Sequence, residues 1–271
     1  MSSEAVVGVV DREWQCYSIG ERIARFAVYI AIVAAVVLSI RSVEVIPDFI
    51  LDAPEQVVDL LKRMWPPDVA SYPQEIHAAL LDSLHIATVG TAFGVLMALP
   101  FGFLAARNVT PWPWLNWVAR LVLIATRSVN TLVFALFFVA VFGPGALAGT
   151  LAIAFHSIGF VGRLFSEALE NTSPGPIEAL RAAGAPSASV ISFGYWPQVV
   201  PAFWSLVLFR WDINVRESIV LGLVGAGGVG MALDNALNLF QWTRVSMILL
   251  AILGVVIAAE IAVTYIRKRV I

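Results

Sequence analysis

The sequence predicts an all-α protein that crosses a membrane several times. Of its 271 residues, 59% are hydrophobic and only 13% are charged, and the apolar residues gather into runs long enough to span a bilayer. Soluble domains carry about 25% charged residues. A chain this poor in charge lacks the polar surface to face water, so lipid must be the solvent for much of its length. The mean hydropathy of +0.85 agrees.

A bilayer core requires about 20 largely apolar residues per helix, and six segments approach that length. They are Ile23–Ile40, Leu80–Ala106, Leu121–Phe142, Ala146–Gly162, Trp196–Leu223 and Val245–Ile266. The second is interrupted only by Asp82 and His85. The fifth is split by Arg210, Asp212, Arg216 and Glu217, which predicts a broken helix there. Breaks at membrane depth are tolerated only against protein or a wet cavity. The first segment is a retained helix and not a secretory signal. Charges continue through Glu13, Glu21, Arg22 and Arg25, up to and into its start, and no small-residue cleavage pattern follows.

Basic residues set the orientation. With both termini inside, Arg12, Arg22, Arg25, Arg107, Arg120, Arg163, Arg181, Arg267, Lys268 and Arg269 lie on the cytoplasmic side, against Arg41, Lys62, Arg63 and Arg244 outside. Ten against four satisfies the positive-inside rule. The outer loop, residues 41–77, holds an amphipathic stretch, Pro54–Trp65, expected to form a short surface helix. The lone Cys16 excludes a disulfide framework, and His77, His85 and His156 form no metal-ligand spacing. No catalytic nucleophile–base pair, metal site or nucleic-acid patch is expected.

The largest inner loop, about residues 163–195, carries the most specific motif. Pro176 suits the first position of a helix, Glu178 its positive end, and Gly184 a left-handed stop, with Pro186 blocking continuation. The expected helix has about two turns, and isolated helices shorter than ~12 residues are marginal in water. It must therefore rest on something, either its own bundle or a partner's groove.

Glu178-Ala179, Gly184, Phe193, Pro197 and Pro201 resemble the EAA loop of ABC importer permeases, with Leu180 standing where a second Ala is usual. Gly159–Glu170, Arg210–Ser218, the glycine-rich Leu221–Gly230, Leu99–Asn108 and Arg127–Asn130 narrow the resemblance to permeases for phosphonate and related phosphorus oxyanions, within the methionine-importer-like class. It runs from about Ile76 to the carboxyl end. It implies a permease domain over residues 76–271, preceded by a tail, one helix and an outer loop over residues 1–75.

The resemblance further implies a bacterial plasma-membrane location. Partners would be two ATPase subunits docking on Glu178, Ala179, Leu180, Arg181 and Gly184, an extracytoplasmic binding protein, and a second copy of the chain. ATP and Mg would be used by the ATPases, with no cofactor bound here. The chain itself lacks G-x-x-x-x-G-K-[ST]. An ion-coupled secondary transporter or channel is the alternative that intramembrane charges would suit.

Gly225-Ala226-Gly227-Gly228-Val229-Gly230 matches a dinucleotide fingerprint by letter. A nucleotide site would need a strand before it and an acidic residue about 20 positions on, where Leu250 stands. Gly225, Gly227, Gly228 and Gly230 are instead expected to form a hinge, a gate or a tight helix contact. Intramembrane polar groups are costly and face the interior or a wet path. Arg127, Asn130, His156, Ser157, Arg210, Asn214 and Arg216 are the path candidates, and Asp212 and Arg216, four apart, are spaced to pair on one helix face.

Overall fold

A computed structural model of the chain describes residues 18–42 and 47–270. Arg12 and Cys16 lie outside the described residues. Every described element is helical, and the chain divides into two compact units, Met1–Val58 and Asp59–Ile271.

In the first unit α1 (Ile19–Ser42) opens with a reciprocal cap. Ser18 N donates to Glu21 Oε2 at 2.9 Å, and Glu21 N donates to Ser18 Oγ at 3.4 Å. Its 24 residues contain an 18-residue stretch with a mean hydropathy of 2.4, long and apolar enough to cross a membrane. α2 (Pro47–Met64) starts at Pro47 and not at Pro54, which sits inside it.

In the second unit a π-helical turn, Tyr72–Ile76, leads into α3 (His77–Ala105). α3 packs against α6 (Ala146–Glu170) along a stripe of small residues, Gly90, Gly94, Ala98 and Gly102. A Cβ at Gly90 would lie 3.0 Å from Thr150 O, one at Gly94 2.8 Å from Ala154 O, and one at Gly102 2.6 Å from Phe165 Cδ1. Only small residues permit backbones this close. The paired numbers rise together, so α3 and α6 run parallel.

Two parallel neighbours require the chain to cross back between them. That return is made by α4 (Pro113–Ser128) and α5 (Thr131–Phe142), joined by a bend of 87° at Val129–Asn130. The 12 residues of α5 span only about 18 Å, too short for a bilayer core by themselves. The continuous helix expected over Leu121–Phe142 is therefore two. Asn130 is the cause that can be named: its side chain accepts from Leu132 N at 2.9 Å and starts a new helix.

The break expected in the fifth segment does not occur. α9 (Trp196–Gly222) is one continuous helix of 27 residues, about 40 Å long. It runs antiparallel to α3: Tyr195 Oη donates to Asn108 O near one end, Asn214 reaches Thr91 in the middle, and Ser83 meets the start of α10 (Val229–Asn238) beyond the other. Its charges keep it from being apolar enough by composition, but it travels the same depth as α3. α11 (Trp242–Val270) completes the unit, packing Val245 and Ile248 near Leu80, and Ala259 near Ala87.

Candidate functional site

At the C-terminal ends of α3 and α6, the chain builds a short helix. α6 continues to Glu170, eight residues past its expected end at Gly162, so the connecting segment is shorter than expected. After it comes α7 (Pro174–Ala182), with Ser173 at the position before it and Pro174 at its first position. The helix thus begins two residues before the expected Pro176. It ends at Gly184, whose φ of +74° is left-handed, with Gly184 N donating to Arg181 O and Ala185 N to Leu180 O, both at 3.0 Å. A single turn, α8 (Ser187–Ser189), and a π-helical segment, Val190–Tyr195, return the chain to α9.

The two faces of α7 differ. Ile177 is buried and Leu180 half-buried, both against Gly194, where a Cβ would meet Leu180 Cδ1 at 3.2 Å and Ile177 Cγ1 at 3.4 Å. Ile177 belongs to a cluster with Phe165, Leu169, Tyr195 and Phe203. Glu178, Ala179, Arg181 and Gly184 are exposed. Leu180, expected at the partner's side, turns toward its own bundle. Beneath α7, Glu170 Oε1 accepts from Arg120 Nη2 at 2.5 Å and from Arg107 N at 2.9 Å, while Asn108 Nδ2 donates to Leu169 O at 2.7 Å. Arg120 Nε also donates to Ala105 O at 3.0 Å. This clamp ties α3, α4 and α6 together just before α7. In the sequence Arg107 and Arg120 show only as part of the charge bias. Pairing across 50 residues leaves no local spacing to find.

At the opposite end of α9, the glycine segment reverses the chain. Gly225, Gly227 and Gly228 have φ of +84°, +88° and +74°. Gly230 is required for a different reason: it abuts Gly222 so closely that its Cβ would meet Ile219 O at 2.0 Å. The turn is held by Gly145 N donating to Gly225 O and Val229 N donating to Ser83 Oγ, each at 2.9 Å.

Between these ends the path candidates separate into two groups. Ser157, Arg210 and Asn214 are fully or nearly fully buried. Arg210 Nε donates to Ser157 Oγ at 3.0 Å, its Nη2 to Glu217 Oε2 at 3.2 Å, and its guanidinium lies 5.1 Å from the Phe160 ring centroid. Asn214 Nδ2 donates to Thr91 Oγ1 at 2.7 Å and Ser157 Oγ at 3.1 Å. Asn130, His156 and Arg216 instead line an open cavity of about 530 Å³, with Thr131, Ile213 and Glu217. Arg216 is paired with Asp212 on the same face of α9. Arg127 is exposed outside the cavity. Glu217 and Thr131 were not among the path candidates, yet Thr131 Oγ1 donates to Glu217 Oε2 at 2.9 Å and joins α5 to α9.

Residues 98–271 match the family described as binding-protein-dependent transport system inner membrane component. The chain belongs to this family. It is 41% identical over 220 residues to phosphite transport system permease protein PtxC of Stutzerimonas stutzeri, covering 81% of this chain and 80% of that one. It is 39% identical over 234 residues to phosphate-import permease protein PhnE of Mycolicibacterium smegmatis, covering 86% of this chain but 44% of that longer one. Among solved structures, the fold matches the MetNI methionine ABC transporter in inward-facing conformations. The TM-score there is 0.64 at 22% identity, over 72% of this chain and 96% of the other. As an ABC importer permease, the chain is an inner-membrane transport subunit, with ATP hydrolysed by separate ATPase subunits and substrate delivered by a binding protein.

Proposed function

We propose that this permease moves a phosphonate, phosphite or related phosphorus oxyanion into the cell, working as a homodimer with one ATPase subunit on each copy. The relatives named for phosphite and phosphate import support the substrate class, since one covers four-fifths of both chains. The observation that carries the mechanism is the two-faced α7. Ile177 anchors it to the bundle, while Glu178, Ala179 and Arg181 stay free for a partner. ATP and Mg act in the ATPases, and this chain binds neither. Closure of the ATPases draws the two α7 helices together, and the clamp at Glu170 carries that movement into α3, α4 and α6. On this reading both termini face the cytoplasm, as the bias of basic residues favours, and the cavity at Asn130, His156 and Arg216 lies on the transit route.

The test is reconstitution with the candidate ATPase and binding protein in liposomes, wild type against Glu178→Lys and Gly184→Pro. Proline cannot adopt the +74° φ of Gly184, so the second variant spoils the end of α7 without touching the cavity. ATP-dependent uptake of phosphite or methylphosphonate by the wild type, lost with ATPase binding in the variants, is the expected outcome. Uptake driven by an ion gradient with no ATPase present overturns the proposal.

A further inference from the structure

The cavity beside α5 and α9 presents an electrostatic problem that the importer reading leaves open. An anion must pass a region holding Arg210 and Arg216, yet a bare pair of arginines inside a membrane would retain it. Conduction requires binding weak enough to leave. The structure balances both cations: Asp212 pairs with Arg216, and Glu217 with Arg210. The two pairs differ in how they meet the cavity. Arg216 lines it directly. Arg210 is only 2% exposed and does not line it, and reaches it only through Glu217, whose side chain is 28% exposed and does.

One oxygen of Glu217 takes both available donors. Oε2 accepts from Arg210 Nη2 at 3.2 Å and from Thr131 Oγ1 at 2.9 Å. A guanidinium with a neighbouring hydroxyl suits a phosphorus oxyanion as well as a carboxylate. His156 adds a third element. Its Nδ1 lies 3.0 Å from Val129 O, and a carbonyl only accepts, so Nδ1 carries the hydrogen. In the neutral ring Nε2 is then an acceptor, matched to the P–OH of a partly protonated oxyanion and not to a fully charged one.

We propose that Glu217 is a resident stand-in for the transported anion. With no substrate present, its carboxylate occupies the Arg210 and Thr131 donors and keeps the cavity neutral. A partly protonated phosphorus oxyanion entering the cavity displaces the Glu217 side chain, takes those donors, and is expelled when the carboxylate returns. Glu217 is thus a specificity-determining residue, and Thr131 and His156 are its partners in the exchange. The inference rests on the importer reading for the chemistry of the ligand, but its test does not.

The test uses the purified permease, alone for the melts and with its ATPase and binding protein in liposomes for uptake, and two variants, with phosphite, methylphosphonate and inorganic phosphate as probes. Glu217→Gln leaves Arg210 without its anion, so the passage becomes a trap. At ten times Kd each probe raises the Tm of this variant by roughly 3–6 °C, the wild type stays unmoved, and uptake shows a lower KM with kcat reduced by about tenfold or more. The melts are run in detergent free of phospholipid and again in lipid nanodiscs. Stabilisation by the soluble probes in detergent identifies a free oxyanion; stabilisation appearing only with lipid identifies a headgroup phosphate and overturns the transit role.

The double variant Arg210→Gln/Glu217→Gln covers the case in which the single one does not fold. Removing both charges leaves no unpaired ion. A purely structural ion pair predicts that uptake returns with folding, which overturns the proposal; the exchange predicts a folded, ATPase-binding complex whose uptake stays low. If the wild type shows no ATP-driven uptake, the importer reading fails while the melts still decide whether Glu217 excludes an anion. If the wild type transports and Glu217→Gln folds, transports normally and gains no stability from any probe, the exchange alone is refuted.

Discussion

The turn from α9 into α10 allows a stability prediction whose size follows from the geometry. A methyl group added at Gly230 would lie 2.0 Å from Ile219 O and 2.7 Å from Gly222 Cα. The reciprocal methyl at Gly222 would lie 2.5 Å from Gly230 Cα and 2.7 Å from Gly227 O. All of these neighbours are backbone, so no rotamer change relieves them, and α10 must move away from α9 by about 1 Å to restore ordinary contact. Overpacking that side chains can absorb costs about 1–3 kcal/mol; a backbone clash belongs at or above the top of that range. The movement would also pull Val229 and Ala236 from their packing with Val245 and Ile248. Gly254→Ala is the matched control, because nothing lies within 4 Å of its Cβ position and it sits inside α11. There the exchange of Gly for Ala should stabilise by about 0.5–1 kcal/mol. Thermal melts followed by size-exclusion chromatography should separate the two variants by roughly 8 °C or more. Gly230→Ala melting alongside the wild type would refute the close-approach argument.

Other consequences are open to direct measurement. Ile177→Ala removes the buried anchor of α7 and should cost about 2–4 kcal/mol locally; substrate-stimulated ATPase activity should fall while the melting temperature of the bundle changes little. Glu170→Gln weakens charged hydrogen bonds to Arg120 and Arg107 N, each about 1.5–3 kcal/mol. It should uncouple ATP hydrolysis from uptake, and the swap Glu170→Arg/Arg120→Glu should restore coupling in part. Asn130→Ala removes the cap on α5 and should destabilise by about 1 kcal/mol, whereas Asn130→Asp, which keeps the acceptor, should melt with the wild type.

Much of this architecture is legible in the sequence because its causes are local. The end of α7 follows from Gly184 and Pro186, its start falls within two residues of the expected Pro176, and the pairing of Asp212 with Arg216 follows from helical spacing. What misled was the use of hydropathy to locate breaks. Arg210, Asp212, Arg216 and Glu217 interrupt an apolar run without interrupting a helix, since each finds an opposite charge on α9 itself. The actual break, at Val129–Asn130, lies in the polar run Thr126–Thr131, where Arg127 and Ser128 lower the hydropathy and Asn130 caps the next helix, so a dip in hydropathy alone does not tell a broken helix from a continuous one. The small-residue stripe of α3 was present in the sequence at spacings of four. Its significance depends on α6, about 60 residues away, whose register no local pattern reveals. The Glu170 clamp and the Thr131–Glu217 link are likewise products of tertiary contact.

The clamp below α7 has a mechanical consequence. α4 is gripped near its start, where Asn116 Nδ2 donates to Leu104 O at 3.0 Å and Arg120 meets Ala105 O and Glu170. Its other end is the sharp bend that carries Asn130 and Thr131 into the cavity wall. The eight helical residues beyond Arg120 make a rigid arm of about 12 Å. Turning that arm by about 10° at the gripped end sweeps its tip through about 2 Å, comparable to the reach of a hydrogen bond. An event among charged side chains at one face of the membrane can thereby widen or narrow the opposite half, without any substrate contact at the point where the force is applied.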